Sequence, residues 1–234
     1  MADHVSRRSA LKIGAGAAVA GVAGLLLPES AFAAKVGRDI FHGSRSRAEV
    51  AITFHGQGDL VIARKILTIS KKYGAPISVM AVGTWLNANP TIGHEIVDAG
   101  NDLGNHTYSH KVMTLLSLKD ATAEVAKGKA AVVKSVGFSG KWFRPSGTLK
   151  SNAIIRAAAG ASGYSNCLVY DVDSFDYQNP SAKTIVATCM KNAQNGSIIG
   201  MHFGHAHTVT ALPLLIQALQ ARGLTPVTVT QLLR

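Results

Sequence analysis

Apolar and polar positions along the chain alternate between strand-like and helix-like spacing. Residues 49–54 form a β-rich run that ends at a glycine-rich turn, and residues 60–73 carry apolar side chains at helical intervals. The same alternation continues to the end of the chain and predicts seven strands, at residues 49–54, 76–82, 102–106, 142–145, 167–172, 197–203 and 226–229. Helices are predicted between them, at residues 60–73, 89–100, 117–136, 153–161, 181–195 and 212–222.

Strands that alternate with helices in this way predict an α/β fold with a parallel sheet. A barrel of about seven to eight strand–helix units fits the length as well as an open, doubly wound sheet does. No glycine-rich G-x-G-x-x-G fingerprint follows the first predicted strand, which weakens the dinucleotide-binding version of the open sheet. Residues 34–234 contain no linker, repeat or low-complexity tract, so we expect them to form one domain.

The first 33 residues differ in composition from the rest. Arg7 and Arg8 precede an apolar run, residues 13–27, that is 15 residues long and rich in Ala and Gly. A membrane-spanning helix needs about 20 strongly apolar residues, so this run is too short and too weakly apolar. Residues 31–33, Ala-Phe-Ala, supply a small-x-small cleavage pattern. Residues 1–33 are similar to a twin-arginine export signal, of the pathway that moves proteins already folded.

We therefore expect a secreted or cell-envelope protein with no stable membrane span after cleavage. The alternative is an N-terminal anchor that stays attached. If the signal is removed, the catalytic domain would be residues 34–234.

The chain is basic, with 24 Lys and Arg against 13 Asp and Glu and a net charge of +11. Residues 1–33 carry three basic and two acidic residues, so their removal would leave 21 against 11 and a net charge of +10. The charges are spread along the chain, and no basic and aromatic stripe of a single-strand-binding platform is present. We therefore expect no nucleic-acid partner, and a weak attraction to anionic cell-envelope polymers. The two cysteines, Cys167 and Cys189, could pair outside the cytoplasm or remain two core thiols.

Reactive side chains cluster at the ends of the predicted strands. In parallel α/β folds, binding and catalytic sites gather at the carboxyl ends of the strands. Arg144 lies at the end of the fourth predicted strand, and Asp173 follows the fifth. Six of the nine histidines follow strands as well, namely His55, His106, His110, His202, His205 and His207. This concentration predicts a site on one rim of the sheet.

His106 and His110 are spaced i, i+4, which on one helical turn places both imidazoles on the same face. Such a pair suits a metal ion, and a third ligand could come from His55, Asp59 or Asp173. Three neutral imidazoles and a water would form an acceptable catalytic zinc site. The alternative is a pair of unrelated polar residues in a loop.

Four motifs resemble those of the polysaccharide deacetylases, the metal-dependent carbohydrate esterases (family 4) that remove N-acetyl groups from chitin-like or peptidoglycan sugars. The most specific is residues 105–110, Asn-His-Thr-Tyr-Ser-His, which is similar to the family's His-(Ser/Thr)-x-x-(Ser/His) metal motif. Residues 143–147, Phe-Arg-Pro-Ser-Gly, resemble its Arg-x-Pro motif. Residues 171–177 resemble its Asp…Asp-Trp segment, with Tyr177 in place of tryptophan, and residues 197–202 resemble its final Leu-His motif.

The resemblance covers residues 49–233 and implies a distorted (β/α) barrel of about seven parallel strands. It implies a divalent metal, zinc by family default, held by His106 and His110. It also implies a metal-bound water that attacks the N-acetyl carbon with the help of a general base. His202 would be the general acid, and Arg144 would orient a catalytic carboxylate.

Further roles follow from the same motifs. Asp173 and Arg144 would tune His55 or His202 by charge. A backbone N–H at or near Tyr108 would hold the tetrahedral oxyanion. Three residues would line the groove that binds an N-acetylated polysaccharide or oligosaccharide, namely Tyr108, Pro145 and Tyr177.

The first motif departs from the family pattern. That motif is Thr-Phe-Asp-Asp-Gly, in which the first aspartate is the general base and the second a metal ligand. Residues 53–59 read Thr-Phe-His-Gly-Gln-Gly-Asp, so His55 stands at the base position and Gly56 at the ligand position.

Three interpretations of this departure remain open. In the first, which we prefer because His55 occupies the base position of the barrel, His55 is the base. Its unperturbed pKa near 6.5 suits proton abstraction, and Asp59 or extra waters then complete the metal shell. In the second, His55 is the third metal ligand, and Asp59 or Asp173 is the base. In the third, the site is inactive and the groove only binds sugar. Retention of the metal, arginine and acid motifs together favours an active hydrolase.

Overall fold

The structure is a computed structural model that describes residues 38–234, so the predicted export signal, residues 1–33, lies outside the described residues. The described strands are Asp39–Ile40 (β1), Glu49–Gly56 (β2), Ser78–Ala81 (β3), Asp102–Asn105 (β4), Cys167–Leu168 (β5), Val172–Asp173 (β6), Ile198–His202 (β7) and Thr225–Val227 (β8). The described α-helices are Leu60–Lys72 (α1), Gly83–Ala88 (α2), Ile92–Asp98 (α3), Leu118–Val136 (α4), Ala153–Ala161 (α5), Ala182–Asn192 (α6), Ala206–Ala221 (α7) and Val229–Leu232 (α8). Within this range, no helix is both long enough and apolar enough to cross a membrane.

The central sheet is parallel and is built around β2. Its strand order is β4-β3-β2-β7-β6, with β8 paired to the first residues of β2. Strands β1 and β5 form a second, two-stranded sheet. All of these strand pairs are parallel, as the alternation of strands and helices predicts.

Residues 167–173 close the sheet into a distorted barrel. At the start of this segment, the N–H of Leu168 donates to the carbonyl of Phe143 at 2.8 Å, and Phe143 forms a parallel bridge with Asn105 at the end of β4. At the other end of the segment, β6 pairs with β7. The segment thus joins both edges of the central sheet, which confirms the predicted α/β fold with a distorted barrel of parallel strands.

Some predicted elements differ in extent. Residues 142–145 contribute only the bridge at Phe143, since Pro145 has no N–H to continue a ladder. Residues 167–172 form parts of two short strands rather than one, because the chain crosses from one sheet edge to the other. Helix α7 begins well before the predicted start, and Pro213 lies inside it.

The strands of the central sheet are buried on both faces, as is usual for a parallel sheet covered by helices. Residues 50–54 of β2 are buried, and α1 and α7 pack their apolar residues against them. Cys189 belongs to this core, whereas Cys167 belongs to a separate cluster with residues of α4 and α5. Both thiols are buried and unpaired, so the second of the two alternatives for the cysteines is the one observed.

Candidate active site

The carboxyl ends of β2 and β7 place two histidines side by side. His55 pairs in register with His202 across these strands. Their rings stack, with centroids 4.3 Å apart and 16° between the planes. His106 follows β4, and its backbone N–H donates to the carbonyl of Ala81 in β3 at 2.9 Å. The parallel strands therefore bring residues that are distant in sequence onto one rim.

Three histidines on this rim form a group that can hold a metal ion. One ligand nitrogen from each of His55, His106 and His110 lies within 4.8 Å of the others. His106 Nδ1 donates to the carbonyl of Arg144 at 2.9 Å, so its Nε2 carries the free lone pair. This Nε2 lies 2.8 Å from His55 Nδ1. Zinc favours imidazole donors, and a carbonyl commonly orients a ligating histidine, so the donor set fits a divalent metal.

Burial keeps these imidazoles neutral. Burial lowers the pKa of His55 well below 6.5, and repulsion by the His106 ring when it is protonated and by the Arg144 guanidinium lowers it further. Burial likewise lowers the pKa of His106 well below 6.5 and is the main cause of a lowered pKa at His110. Because a metal binds the neutral ring, the group can accept a cation at neutral pH without first losing protons.

The segment from His106 to His110 is a loop, and not the helical turn that the i, i+4 spacing predicts. Thr107 and His110 adopt left-handed backbone conformations, with φ of 66° and 57°. Such conformations cost about 1–3 kcal/mol each in residues other than glycine. The two rings still meet, with centroids 4.9 Å apart, but on a different backbone from the one expected.

Helix α4 supports this loop. The carboxylate of Glu124 accepts hydrogen bonds from the N–H groups of Tyr108 and Ser109, at 3.2 and 2.8 Å. Gly128 allows the helix to approach, because a Cβ at this position would lie 2.7 Å from the carbonyl carbon of Thr107. The N–H of Tyr108, a predicted oxyanion donor, is therefore already bonded to Glu124.

Arg144 is a fully buried cation, and no carboxylate within residues 38–234 pairs with it. Its Nη2 donates to the hydroxyl of Thr53 at 2.8 Å, and its guanidinium carbon lies 5.2 Å from the ring centroid of Tyr170. Its Nε and Nη1 have no hydrogen-bond partner among the described residues. His55 stands at the position of the family's base, so that position supplies no carboxylate to this arginine. Burial lowers the pKa of Arg144 to about 10, so the side chain remains charged at neutral pH.

His202 is held by a buried carboxylate. Its Nδ1 donates to Asp176 Oδ1 at 2.7 Å, while Asp176 Oδ2 accepts from the backbone N–H of His202 and from the hydroxyl of Thr208, both at 2.8 Å. Burial alone would raise the pKa of Asp176, but the hydrogen bonds from His202 and Thr208 hold it below its ordinary value. Asp176 therefore stays ionised and fixes the tautomer of His202.

The other residues with predicted roles differ in exposure. Asp173 is half-buried, and burial raises the pKa of its carboxyl group. Tyr177 is exposed, and its ring meets that of His202 edge to face at 5.3 Å between centroids. Tyr108 is half-buried, whereas Pro145 is buried and offers little surface to a substrate.

Asp59, His205 and His207 lie outside the group of nitrogens that could hold a metal ion. The carboxylate of Asp59 caps helix α1, where it accepts from the N–H of Val61 at 2.6 Å. Asp59 is not one of the three residues in the group that could hold a metal ion, and this oxygen satisfies the helix terminus. His205 occupies the N-cap position of α7, and His207 donates to the carbonyl of Pro180 at 2.7 Å.

Gly56, at the position of the family's acidic ligand, has no room for a side chain. It pairs with Ala81 of β3. A Cβ on Gly56 would lie 2.8 Å from Val79 Cγ1 and 2.9 Å from Ala81 Cα. An aspartate could enter only if β2 and β3 moved apart, whereas His55, one residue earlier, already points a ring nitrogen at His106.

Two carboxylates of the site, Asp176 and Glu124, received no role from the sequence. The contact of Asp176 with His202 depends on the closure of the barrel, which spacing alone does not reveal. Glu124 did carry a signal, since it lies three residues after Ala121 and four before Gly128, on the buried face of α4. A carboxylate on that face needs hydrogen-bond donors, which the loop provides.

A parallel barrel with a candidate metal centre and a His–Asp pair on its carboxyl rim is typical of metal-dependent hydrolases. Residues 42–166 match the family described as polysaccharide deacetylase. The chain is also 30% identical over 195 residues to a peptidoglycan-N-acetylglucosamine deacetylase of Bacillus cereus, a match that covers 79% of this chain and 88% of the relative. The chain therefore belongs to the polysaccharide deacetylase family.

Solved structures of this family share the fold. The peptidoglycan N-acetylglucosamine deacetylase Bc1960 is similar with a TM-score of 0.77 and 26% identity, over 83% of this chain and 92% of the other. A mutant of a carbohydrate esterase family 4 pseudoenzyme, with restored enzymatic activity, is similar with a TM-score of 0.78 and 25% identity, over 84% and 71%. The family thus contains both deacetylases and a relative described as a pseudoenzyme.

Proposed function

We propose that the chain is a metal-dependent hydrolase that removes N-acetyl groups from an amino-sugar polysaccharide or oligosaccharide of the chitin or peptidoglycan type. One observation carries the proposal: three ligating histidine nitrogens lie within 4.8 Å of one another, and His202 with its buried carboxylate stacks on one of them. Family membership alone would support the fold, but the activity needs this site.

His55, His106 and His110 would hold the cation, and zinc suits three imidazole donors. When bound, such a cation polarises the amide carbonyl and lowers the pKa of water. The second interpretation of the first motif, with His55 as a ligand, has the better support. A ring whose pKa lies well below 6.5 is a weak proton acceptor, and its Nδ1 lies 2.8 Å from the ligating nitrogen of His106.

Asp173 would then serve as the base. It is the last residue of β6, so it lies at the carboxyl end of the strand that pairs with β7, the strand that carries His202. Burial raises the pKa of its carboxyl group, which makes the carboxylate a better proton acceptor than an exposed one. In the reaction, Asp173 accepts the proton of the attacking water.

His202 would be the acid. It donates a proton to the amine nitrogen as the C–N bond of the amide breaks. Asp176 accepts the hydrogen bond from His202 Nδ1, which leaves Nε2 to face the leaving group. The exposed ring of Tyr177, beside His202, offers an apolar face to a sugar.

A second candidate is a catalytically inactive chain that only binds carbohydrate. Both aspartates of the family's first motif are missing, and Arg144 has no carboxylate partner in the part of the chain that the structure describes. A structurally similar relative is a pseudoenzyme in its natural form. The two candidates predict different outcomes in the same assay.

We further propose that residues 1–33 direct export by the twin-arginine route and that residues 34–234 are the catalytic domain. The substrate would then be an extracytoplasmic polymer, and the net charge of +10 would favour contact with anionic cell-envelope polymers. Replacing Arg7 and Arg8 by lysine should leave the uncleaved protein inside the cell, as measured by fractionation and blotting.

The catalytic proposal is tested by acetate release. The chain is incubated with N-acetylated chito-oligosaccharides and with peptidoglycan fragments, with and without added zinc. We expect zinc-dependent release that is lost in His106→Ala, with zinc content measured on both proteins. Sugar binding without release from any substrate would contradict hydrolysis and support the inactive candidate.

A further inference from the structure

His110 differs from His106 in how its ring is held. The ring of His106 is oriented by the carbonyl of Arg144. His110 is exposed, and no other residue between 38 and 234 forms a hydrogen bond with its ring. A ligating histidine normally needs such a partner to fix its orientation. The position of the His110 ring therefore depends on the backbone of its loop.

That backbone is held by Glu124. The side chain of Glu124 is buried, with 6% of the residue exposed. Its Oε2 accepts from the N–H groups of Tyr108 and Ser109, and its Oε1 accepts from the hydroxyl of Ser109 at 2.6 Å. The ammonium group of Lys111 lies 3.8 Å from Oε1. Every one of these partners is a residue within two positions of His110.

The loop needs such a restraint because its conformation is unfavourable. Thr107 and His110 both have positive φ, which L-residues rarely adopt unless the surroundings enforce it. Without the two hydrogen bonds to the N–H groups just before His110, the loop could relax to ordinary φ values. His55 lies in β2 and the N–H of His106 is bonded to β3, so both would stay in place without the third ring.

We propose that Glu124 is a positioning residue of the metal centre, which fixes residues 108–111 so that His110 completes the ligand set. This inference rests on the proposed function, because it requires the three histidines to bind a metal. Glu124 itself touches none of the ligating nitrogens. It acts through the backbone that carries His110.

The test is zinc affinity, measured by calorimetry on metal-free protein, together with the visible spectrum of the cobalt-substituted protein, which reports ligand geometry. Glu124→Ala should weaken zinc binding at least about tenfold and alter the cobalt spectrum. Glu124→Gln should bind close to wild type, because an amide oxygen can still accept from both N–H groups. Asp120→Ala is the matched control: it removes a carboxylate from the same helix, but one that bonds only the exposed cap residue Ser117.

The outcomes separate this inference from the proposed function. Wild-type zinc affinity in Glu124→Ala overturns the positioning role, and so does equal weakening in Asp120→Ala, which would indicate general destabilisation. If Glu124→Ala does not fold, Glu124→Asp replaces it, because its carboxylate is one methylene too short for the loop, and the same results are expected. If wild type binds no zinc and matches His106→Ala, the proposed metal centre itself fails.

Discussion

Substitution of Gly56 tests whether the strands around this site still have room for the aspartate of the family's first motif. If they do not, the site is built around three histidines and an aspartate at this position cannot act as a ligand. Gly56→Ala adds only a Cβ, and Gly56→Asp adds the carboxylate of the family's first motif. The added Cβ would lie 2.8 Å from Val79 Cγ1 and 2.9 Å from Ala81 Cα. Val79 could adjust its side chain, but Ala81 presents backbone that is fixed by its pairing with β2 and β4.

The size of the effect follows from this overlap. Overpacking of this kind costs about 1–3 kcal/mol, and for a domain of about 200 residues each kcal/mol lowers the melting temperature by about 2–4 °C. Gly56→Ala should therefore melt about 2–12 °C below wild type. Gly56→Asp should melt lower still, because a buried carboxylate adds its own desolvation cost, and it should not bind zinc more tightly.

Scanning calorimetry of the metal-free and zinc-loaded proteins measures both effects. Gly204→Ala is the control, since the nearest atom to its added Cβ, the carbonyl oxygen of Gln57, is 3.8 Å away. If Gly56→Ala melts within about 1 °C of wild type, the strands adapt and the steric reasoning is wrong. If Gly56→Asp binds zinc more tightly than wild type, the family's acidic position is still usable and the site has not been rebuilt.

Three further predictions concern the histidines and their partners. His55→Ala should lose bound zinc on dialysis, as measured by metal analysis; retained zinc with no turnover would instead identify His55 as the base. Asp176→Asn should lower kcat by roughly 10²-fold or more with unchanged zinc content, because it disturbs the acid and not the ligands; wild-type kcat would exclude this role. In the folded protein, the pKa values of His55 and His106 lie below the value of about 6.5 that they have in the unfolded chain. Between the folded and the unfolded pKa values, the unfolded chain binds more protons than the folded one. The metal-free protein should therefore lose stability as the pH falls below about 6.5. Urea titrations on either side of that pH should show the loss, and a smaller loss in His106→Gln; a flat profile would contradict it.

The order of strands and helices was predictable because buried parallel strands and amphipathic helices have strong periodic signals. Residues 49–54 and 117–136 correspond closely to β2 and α4. The predicted strand at residues 167–172 does not correspond to one strand in the structure. Its division into β5 and β6 depends on which strands it pairs with when the barrel closes. Periodicity describes one element at a time and carries no information about such a crossing.

The site was predictable in its location but not in its construction. Strand ends placed His55, His106 and His202 on one rim, and the structure brings them together. The i, i+4 spacing of His106 and His110 indicated the right pair of residues but the wrong backbone conformation. The positive φ values of Thr107 and His110 have only a weak sequence signal, because neither residue is glycine. The motif showed that an acid is absent at Gly56, whereas the strand pairing shows why a side chain cannot simply be added there.

The two buried thiols have a consequence for where this chain can mature. Cys167 and Cys189 are the only cysteines and are unpaired in separate parts of the core, so no covalent cross-link holds the domain together. Its native state therefore needs no oxidant, and a reducing or an oxidising compartment can yield the same structure. A chain of this kind can finish folding where it is synthesised, which is what the proposed export in the folded state would require.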